Sequence, residues 1–251
     1  MLNKQAISAA CLLVMFIMCP VDVIAAPEEI QVYLDEFAEA GKAGLDLHTN
    51  YVASGQQPTN HELRITPELS YGVNTNWEVG SYWLAAKDIG GSPRTDGVKV
   101  RAKYRPGLPF IDSRFYWAVN FELGQLSKRY FQDETSGEVK LIGVWKTDSW
   151  MLGTNLNFDR SLKSHPVQAA NSEIDTKVAY KIREGLQVGL EGYYFLGANH
   201  FDPSQPIGNN SNYLASDFTI GKWDLNVGVG RVTGQSPDRT VVKAIIGVPF
   251  D

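Results

Sequence analysis

From Val98 to Arg105 every second residue is apolar or aromatic (Val98, Val100, Ala102, Tyr104), and the residues between them are all cations (Lys99, Arg101, Lys103, Arg105). An α-helix cannot produce a period of two, so this stretch must be an extended strand with one apolar and one charged face. The alternation returns where Ile174, Thr176, Val178, Tyr180 and Ile182 interleave with Glu173, Asp175, Lys177, Ala179, Lys181 and Arg183. It returns again where Trp223, Leu225, Val227 and Val229 interleave with Asp224, Asn226, Gly228 and Gly230. Segments of about 10 residues with this pattern are what a membrane-spanning β-barrel requires, one parity facing lipid and the other a polar lumen.

Applied along the chain, the same rule predicts strands at 43–53, 61–73, 77–87, 96–106, 114–126, 136–147, 149–160, 172–183, 186–197, 211–221, 222–233 and 239–250. The expected fold is all-β: a transmembrane, antiparallel, up-and-down barrel of about 12 strands, an even number as bacterial single-chain barrels require. Connection lengths agree with it. Asn74-Thr75-Asn76, Thr147-Asp148, Glu184-Gly185 and Gly221-Lys222 read as tight periplasmic turns. The stretches 54–60, 88–95, 127–135, 161–171 and 198–210 are longer, rich in turn formers, and alternate with the tight turns, as external loops do. Trp and Tyr favour membrane interfaces. On this map Tyr71, Trp77, Tyr104, Trp117, Trp145, Trp150, Tyr180, Trp223 and Phe250 face outward near the periplasmic ends, and Tyr51, Trp83, Phe158 and Tyr194 near the external ends. A secreted β-sandwich or lipocalin-like barrel would show the same alternation with the apolar parity turned inward. Aromatic residues concentrated at strand ends weigh against that alternative.

Ahead of the strands, Lys4 precedes a largely apolar run from Ala6 to Met18 that closes on Ala25 and Ala26. That is the layout of a signal peptide, residues 1–26, with cleavage after Ala25 or Ala26. The run falls short of the roughly 20 residues of a spanning helix. Both cysteines, Cys11 and Cys19, lie within it, and Met18 is bulkier than a lipoprotein cleavage site accepts. The exported domain therefore carries no disulfide and no thiolate. Residues 27–42 form a separate segment, either a periplasmic extension or an insert in the lumen, and residues 43–251 form the barrel. The net charge of −5 offers no nucleic-acid signature.

The last strand places Val242, Ala244, Ile246, Val248 and Phe250 at alternate positions. It resembles the terminal-strand signal read by the barrel-assembly machinery, with Asp251 trailing the usual terminal aromatic. Ile30-Gln31-Val32-Tyr33, the run from Gly44 to Val52, the run from Leu63 to Gly72 and the run from Val242 to Phe250 are also similar to an outer-membrane transporter-like family labelled as phenol meta-pathway degradation proteins. The resemblance implies a barrel that takes up small, aromatic compounds. The expected location is then the bacterial outer membrane. The expected partners are its lipid and lipopolysaccharide, the assembly machinery and a small solute, with no cofactor.

The inward parity supplies the candidate lumen residues Asp46, His48, Arg64, Glu68, Glu78, Lys99, Arg101, Lys103, Arg105, Glu122, Lys177, Lys181, Glu191 and Asp224, with Arg183 also on that face. Hairpin symmetry pairs Glu78 with Lys103 or Arg105, and Glu122 with Lys99. Arg101 is left as the cation with no expected partner, hence the one facing solute. Asp46 and His48 share a face, and His61 and Glu62 lie across the first loop, an arrangement a barrel hydrolase could use. No serine is fixed beside His48 by spacing, and His48, His61, His165 and His200 lack metal-ligand spacing. The expected function is passive solute passage without catalysis, with a structural or surface-interaction barrel as the alternative.

Overall fold

The computed structural model describes residues 29–107, 114–127, 135–163, 170–198, 209–234 and 236–250. The leader assigned to residues 1–26, and with it the cleavage site, lies outside the described residues, as do His165 and His200. Twelve strands form one closed antiparallel barrel in which each strand pairs with its chain neighbours and β1 pairs with β12. They are β1 (Ala43–Gly55), β2 (Leu63–Gly72), β3 (Trp77–Lys87), β4 (Arg94–Tyr104), β5 (Phe115–Leu126) and β6 (Thr135–Lys146), followed by β7 (Trp150–Ser161), β8 (Asn171–Arg183), β9 (Leu186–Ala198), β10 (Asn210–Ile220), β11 (Trp223–Thr233) and β12 (Asp238–Pro249). Closure pairs every strand on both sides, so no edge is left with unsatisfied backbone groups. Each predicted strand coincides with an observed one, and the ends differ by two residues or fewer.

Local chemistry explains the tight turns. Gly185 and Gly221 sit in the left-handed region, at φ 68° and 64°, which the two-residue hairpins Glu184-Gly185 and Gly221-Lys222 demand. Asn74 closes the β2–β3 turn by accepting from the Asn76 and Trp77 amides at 2.8 and 2.9 Å.

The barrel is inside-out relative to a soluble one. Val100, Leu123, Leu190 and Leu214 on the outer face are each more than half exposed, whereas Lys99, Arg101, Lys103, Lys177 and Lys243 on the inner face are buried. This disposition rules out the soluble alternative, in which the apolar parity would be covered. At the short-turn end Tyr71, Trp77, Trp117, Trp145, Trp150, Tyr180, Trp223 and Phe250 are exposed outward, and Tyr51 and Trp83 are exposed at the long-connection end. Trp77 packs against Tyr104 in a tilted pair across β3–β4 and Trp150 meets Tyr180 edge-on across β7–β8, both with centroids 4.9 Å apart. These cross-strand ring pairs tie neighbouring strands at the interface level.

The buried apolar cluster has two halves. Tyr116, Ala118, Ile142, Val144, Met151 and Ala179 project inward from β5–β8 in their short-turn halves, and Ile30, Val32, Tyr33 and Leu34 from the chain before β1 join them. Val52, Tyr193, Tyr213, Val232 and Val241 belong to the same cluster on the β1 and β9–β12 side.

Candidate functional site

The interior of the barrel is the candidate site, and ion pairs dominate its wall. Arg101 donates from Nε to a Glu68 oxygen at 2.6 Å, its Nη2 lies 2.5 Å from the same carboxylate, and its Nη1 lies 2.5 Å from Glu78. The expectation that Arg101 lacks a carboxylate partner is thereby overturned. Its register neighbour on β3 is Gly80, where a Cβ would stand 2.9 Å from the Arg101 Nε. The guanidinium therefore lies across β3 over a residue without a side chain and reaches β2. Lys103 pairs with Glu78 at 3.2 Å, as hairpin symmetry predicts. Glu122 stands opposite Arg101 in register, one pair away from the expected place, yet its carboxylate meets Lys99 at 3.4 Å.

Two more networks complete the wall. Lys177 bridges Glu191 at 3.1 Å and Asp217 at 2.7 Å, and Lys243 holds Glu191 from the other side. At the long-connection end Arg64 reaches Glu62 at 2.6 Å and Asp238 at 2.7 Å, while Arg94 joins Glu62, Asp96 and Asp88. Buried charges persist when each has a partner, and these do. Three candidates sit at the short-turn rim rather than in the lumen proper. Lys181 pairs with the exposed Glu184 of the turn. Arg105 follows β4, donates to the Thr75 carbonyl at 2.8 Å and lies 4.0 Å from the Phe37 ring. Asp224 accepts from the Thr219 hydroxyl at 2.9 Å and is exposed. Arg183 is exposed as well. Each of these lies at or near a strand end, at the rim of the wall, and Asp224 there borders the interior cavity.

Residues 29–40 run inside this wall without regular secondary structure apart from the bridge at Ala40. The segment leaves β1 at the short-turn end, where the Gly41 amide donates to the Gly72 carbonyl at 2.7 Å and Ala40 bridges Gly72. Further in, the Ala38 amide donates to the Glu78 carboxylate, and Lys103 donates to the Glu36 carbonyl at 2.8 Å. Asn155 of β7 then clamps the Tyr33 peptide from both sides, accepting its N–H at 2.6 Å and donating to its C=O at 2.8 Å. Lys243 donates to the Ile30 carbonyl at 3.1 Å. Ile30, Val32 and Leu34 join the apolar patch of β5–β8, and Leu34 takes the space opposite Gly153. Tyr33 makes a 2.5 Å hydroxyl contact with Tyr82 and donates to Glu29 at 3.1 Å, with the Lys140 ammonium 4.1 Å from its ring centroid.

Sequence reasoning by charge alone missed this patch. The signal was legible: Ala118, Ile142, Val144 and Met151 are apolar residues on the parity assigned to water, which demands an apolar partner inside the barrel. On the opposite side of the segment the interior keeps a cavity of about 800 Å³. Asp46, Gln187, Thr219, Asp224, Asn226 and Gly247 are among its wall residues. Asp46 and Asp224 are the two register neighbours of Gly247 on β12, where a Cβ would stand 2.7 Å from an Asp46 oxygen. Asp46 has no ion-pair partner among the described residues.

The four residues considered for hydrolysis do not assemble. The half-buried His61 bonds through Nδ1 to the Tyr51 hydroxyl at 2.9 Å, and Glu62 serves the arginines of the mouth. His48 instead turns Nε2 towards carboxylates, 3.2 Å from Glu68 and 3.8 Å from Glu29.

No protein-family model matches the chain, and no curated protein matches it in sequence. Solved structures resemble it in fold. The KdgM porin in complex with disordered oligogalacturonate superposes with a TM-score of 0.57 at 15% identity, over 83% of this chain and 99% of the porin. The NanC porin gives 0.58 at 15% identity, over 82% and 99%. An outer-membrane channel from Pseudomonas putida F1 gives 0.58 at 10% identity, over 93% of this chain and 100% of the channel. At such identities the likeness concerns architecture alone, and it lends nothing to the phenol meta-pathway label. Closed barrels of this kind serve as porins and channels in the proteins named, and this chain shares their architecture.

Proposed function

We propose that the protein is a bacterial outer-membrane channel for passive passage of small solutes, exported by a cleaved leader and assembled through its last strand. The observation that carries this reading is the 800 Å³ cavity between the 29–40 segment and the inner wall, enclosed by a barrel whose outer face is apolar. An apolar belt between aromatic girdles suits a bilayer with lipopolysaccharide outside, and a charged interior suits water. With the short turns in the periplasm, the 29–40 segment enters from that side and narrows the route. Passive passage needs no cofactor. The surroundings of His48 favour a non-catalytic interior, because its near neighbours are carboxylates rather than a hydroxyl nucleophile. The finer reading, small aromatic solutes, draws support from Tyr33 and Phe37 of the inner segment, which border the cavity. Oligogalacturonate, the ligand named for KdgM, is acidic, and the wall of this cavity carries both signs, Asp46 and Asp224 together with Arg101, Lys103 and Lys177, so charge by itself selects neither an acidic nor a neutral solute.

The extent to which the segment fills the lumen favours one second reading, a closed structural barrel. Single-channel recording in planar bilayers separates the two. The channel reading expects small openings for the exported protein and larger ones after deletion of residues 27–40. Folded protein that inserts repeatedly and passes no current in either form overturns it in favour of the structural barrel.

A further inference from the structure

Glu29, His48 and Glu68 come from three different elements, the inner segment, β1 and β2, yet one ligand atom of each lies within 4.8 Å of the other two. Four-coordinate zinc with bonds near 2.1 Å separates its ligand atoms by about 3.4 Å. The His48 Nε2 to Glu68 separation of 3.2 Å and the His48 Nε2 to Glu29 separation of 3.8 Å bracket that value. We propose that Glu29, His48 and Glu68 form a binding site for a divalent transition-metal ion of the Zn²⁺ type, closed by a water in the fourth position.

Two observations besides the distances point to a ligand. The His48 ring is 1% exposed and presents Nε2 to both carboxylates, while its Nδ1, on the far side of the ring, has no hydrogen-bond partner among the described residues. The two carboxylates also have partners of their own: Arg101 holds Glu68 through its other oxygen, and the Tyr33 hydroxyl, which in turn contacts Tyr82, donates to the Glu29 oxygen nearest His48. Outer partners of this kind orient metal ligands. One imidazole with two carboxylates suits Zn²⁺, Mn²⁺ or Fe²⁺ better than Ca²⁺ or Mg²⁺, which take oxygen ligands. Because Glu29 belongs to the segment and the other two ligands to the wall, the ion fastens the segment inside the barrel. The site rests on this geometry and not on the channel reading, and its test measures no current.

Detergent-purified protein, stripped with a chelator, is titrated with Zn²⁺ by calorimetry and thermal unfolding, and with Co²⁺ by visible absorption. The expected result is one equivalent bound, a raised melting temperature, and the intense visible bands of a four- or five-coordinate Co²⁺ centre. Mg²⁺ and Ca²⁺ at the same concentration leave the melting temperature unchanged. His48→Gln abolishes these effects and His61→Gln preserves them. Glu29→Gln, a change outside the barrel wall that spares folding, weakens affinity by about ten-fold or more. An unstructured Co²⁺ spectrum, no Zn²⁺ binding, or binding that survives both His48→Gln and Glu29→Gln overturns the site.

Discussion

Gly153 offers a way to dislodge the inner segment without touching it. The residue lies on the inward parity of β7, between Val144 and Lys177 in register, and its backbone is ordinary strand, so the missing side chain is a matter of space. A Cβ there would stand 2.4 Å from the Leu34 Cδ2 and 3.5 Å from the Val32 Cγ1. Gly153→Val therefore forces two methyl groups into volume that Leu34 occupies. Overpacking of this kind costs about 1–3 kcal/mol. The wall can hardly yield, because β7 is bonded on both sides, and valine suits a strand better than glycine does. The strain falls on the docked segment, shifting its local opening equilibrium about 5- to 150-fold. With no cysteine after residue 26, a single Val32→Cys substitution supplies a clean reporter. Val32 is 4% exposed, so a water-soluble maleimide should react slowly with it in the parent and faster, by that factor, when Gly153→Val is added. Equal labelling rates in two forms that both keep the heat-modifiable gel mobility of a folded barrel would refute the docking argument.

Three further tests address the wall. Arg101→Glu places a third carboxylate beside Glu68 and Glu78 and should cost about 3–5 kcal/mol, seen as loss of heat-modifiable protein. Asp46→Asn should leave folding intact and move the reversal potential in a salt gradient towards anions, and an unchanged potential would put the route elsewhere than the cavity. Val227→Arg, on the exposed apolar parity, should cost about 2–4 kcal/mol if it lies near the bilayer midplane. Asn226→Arg should cost much less, since Asn226 donates to Asp217 at 2.7 Å and to Glu191 at 3.3 Å, where a cation is welcome. Equal losses of folded protein in the Val227→Arg and Asn226→Arg variants would reverse the assignment of the two faces.

Strand number, order and facing were legible in the sequence because each is a local property. A period of two decides extended structure, turn residues divide the strands, and the choice of parity turns every side chain of a strand at once. The pairing of Glu78 with Lys103 was legible for the same reason, since it depends only on the register of one hairpin. What the sequence could not decide was anything that crosses the lumen or skips a strand. Arg101 reaches Glu68 because Gly80 opens the way over β3, a relation among three strands that no single hairpin reveals. Glu29, His48 and Glu68 meet only when a segment ahead of the first strand is threaded back inside the closed wall. The sequence by itself thus determined the barrel and which face of it is apolar, since those follow from spacing along the chain. Only the tertiary structure decided what occupies the interior: the fit of Leu34 opposite Gly153 and the clamp of Asn155 on the Tyr33 peptide depend on curvature and closure, which bring residues far apart in the chain to one point.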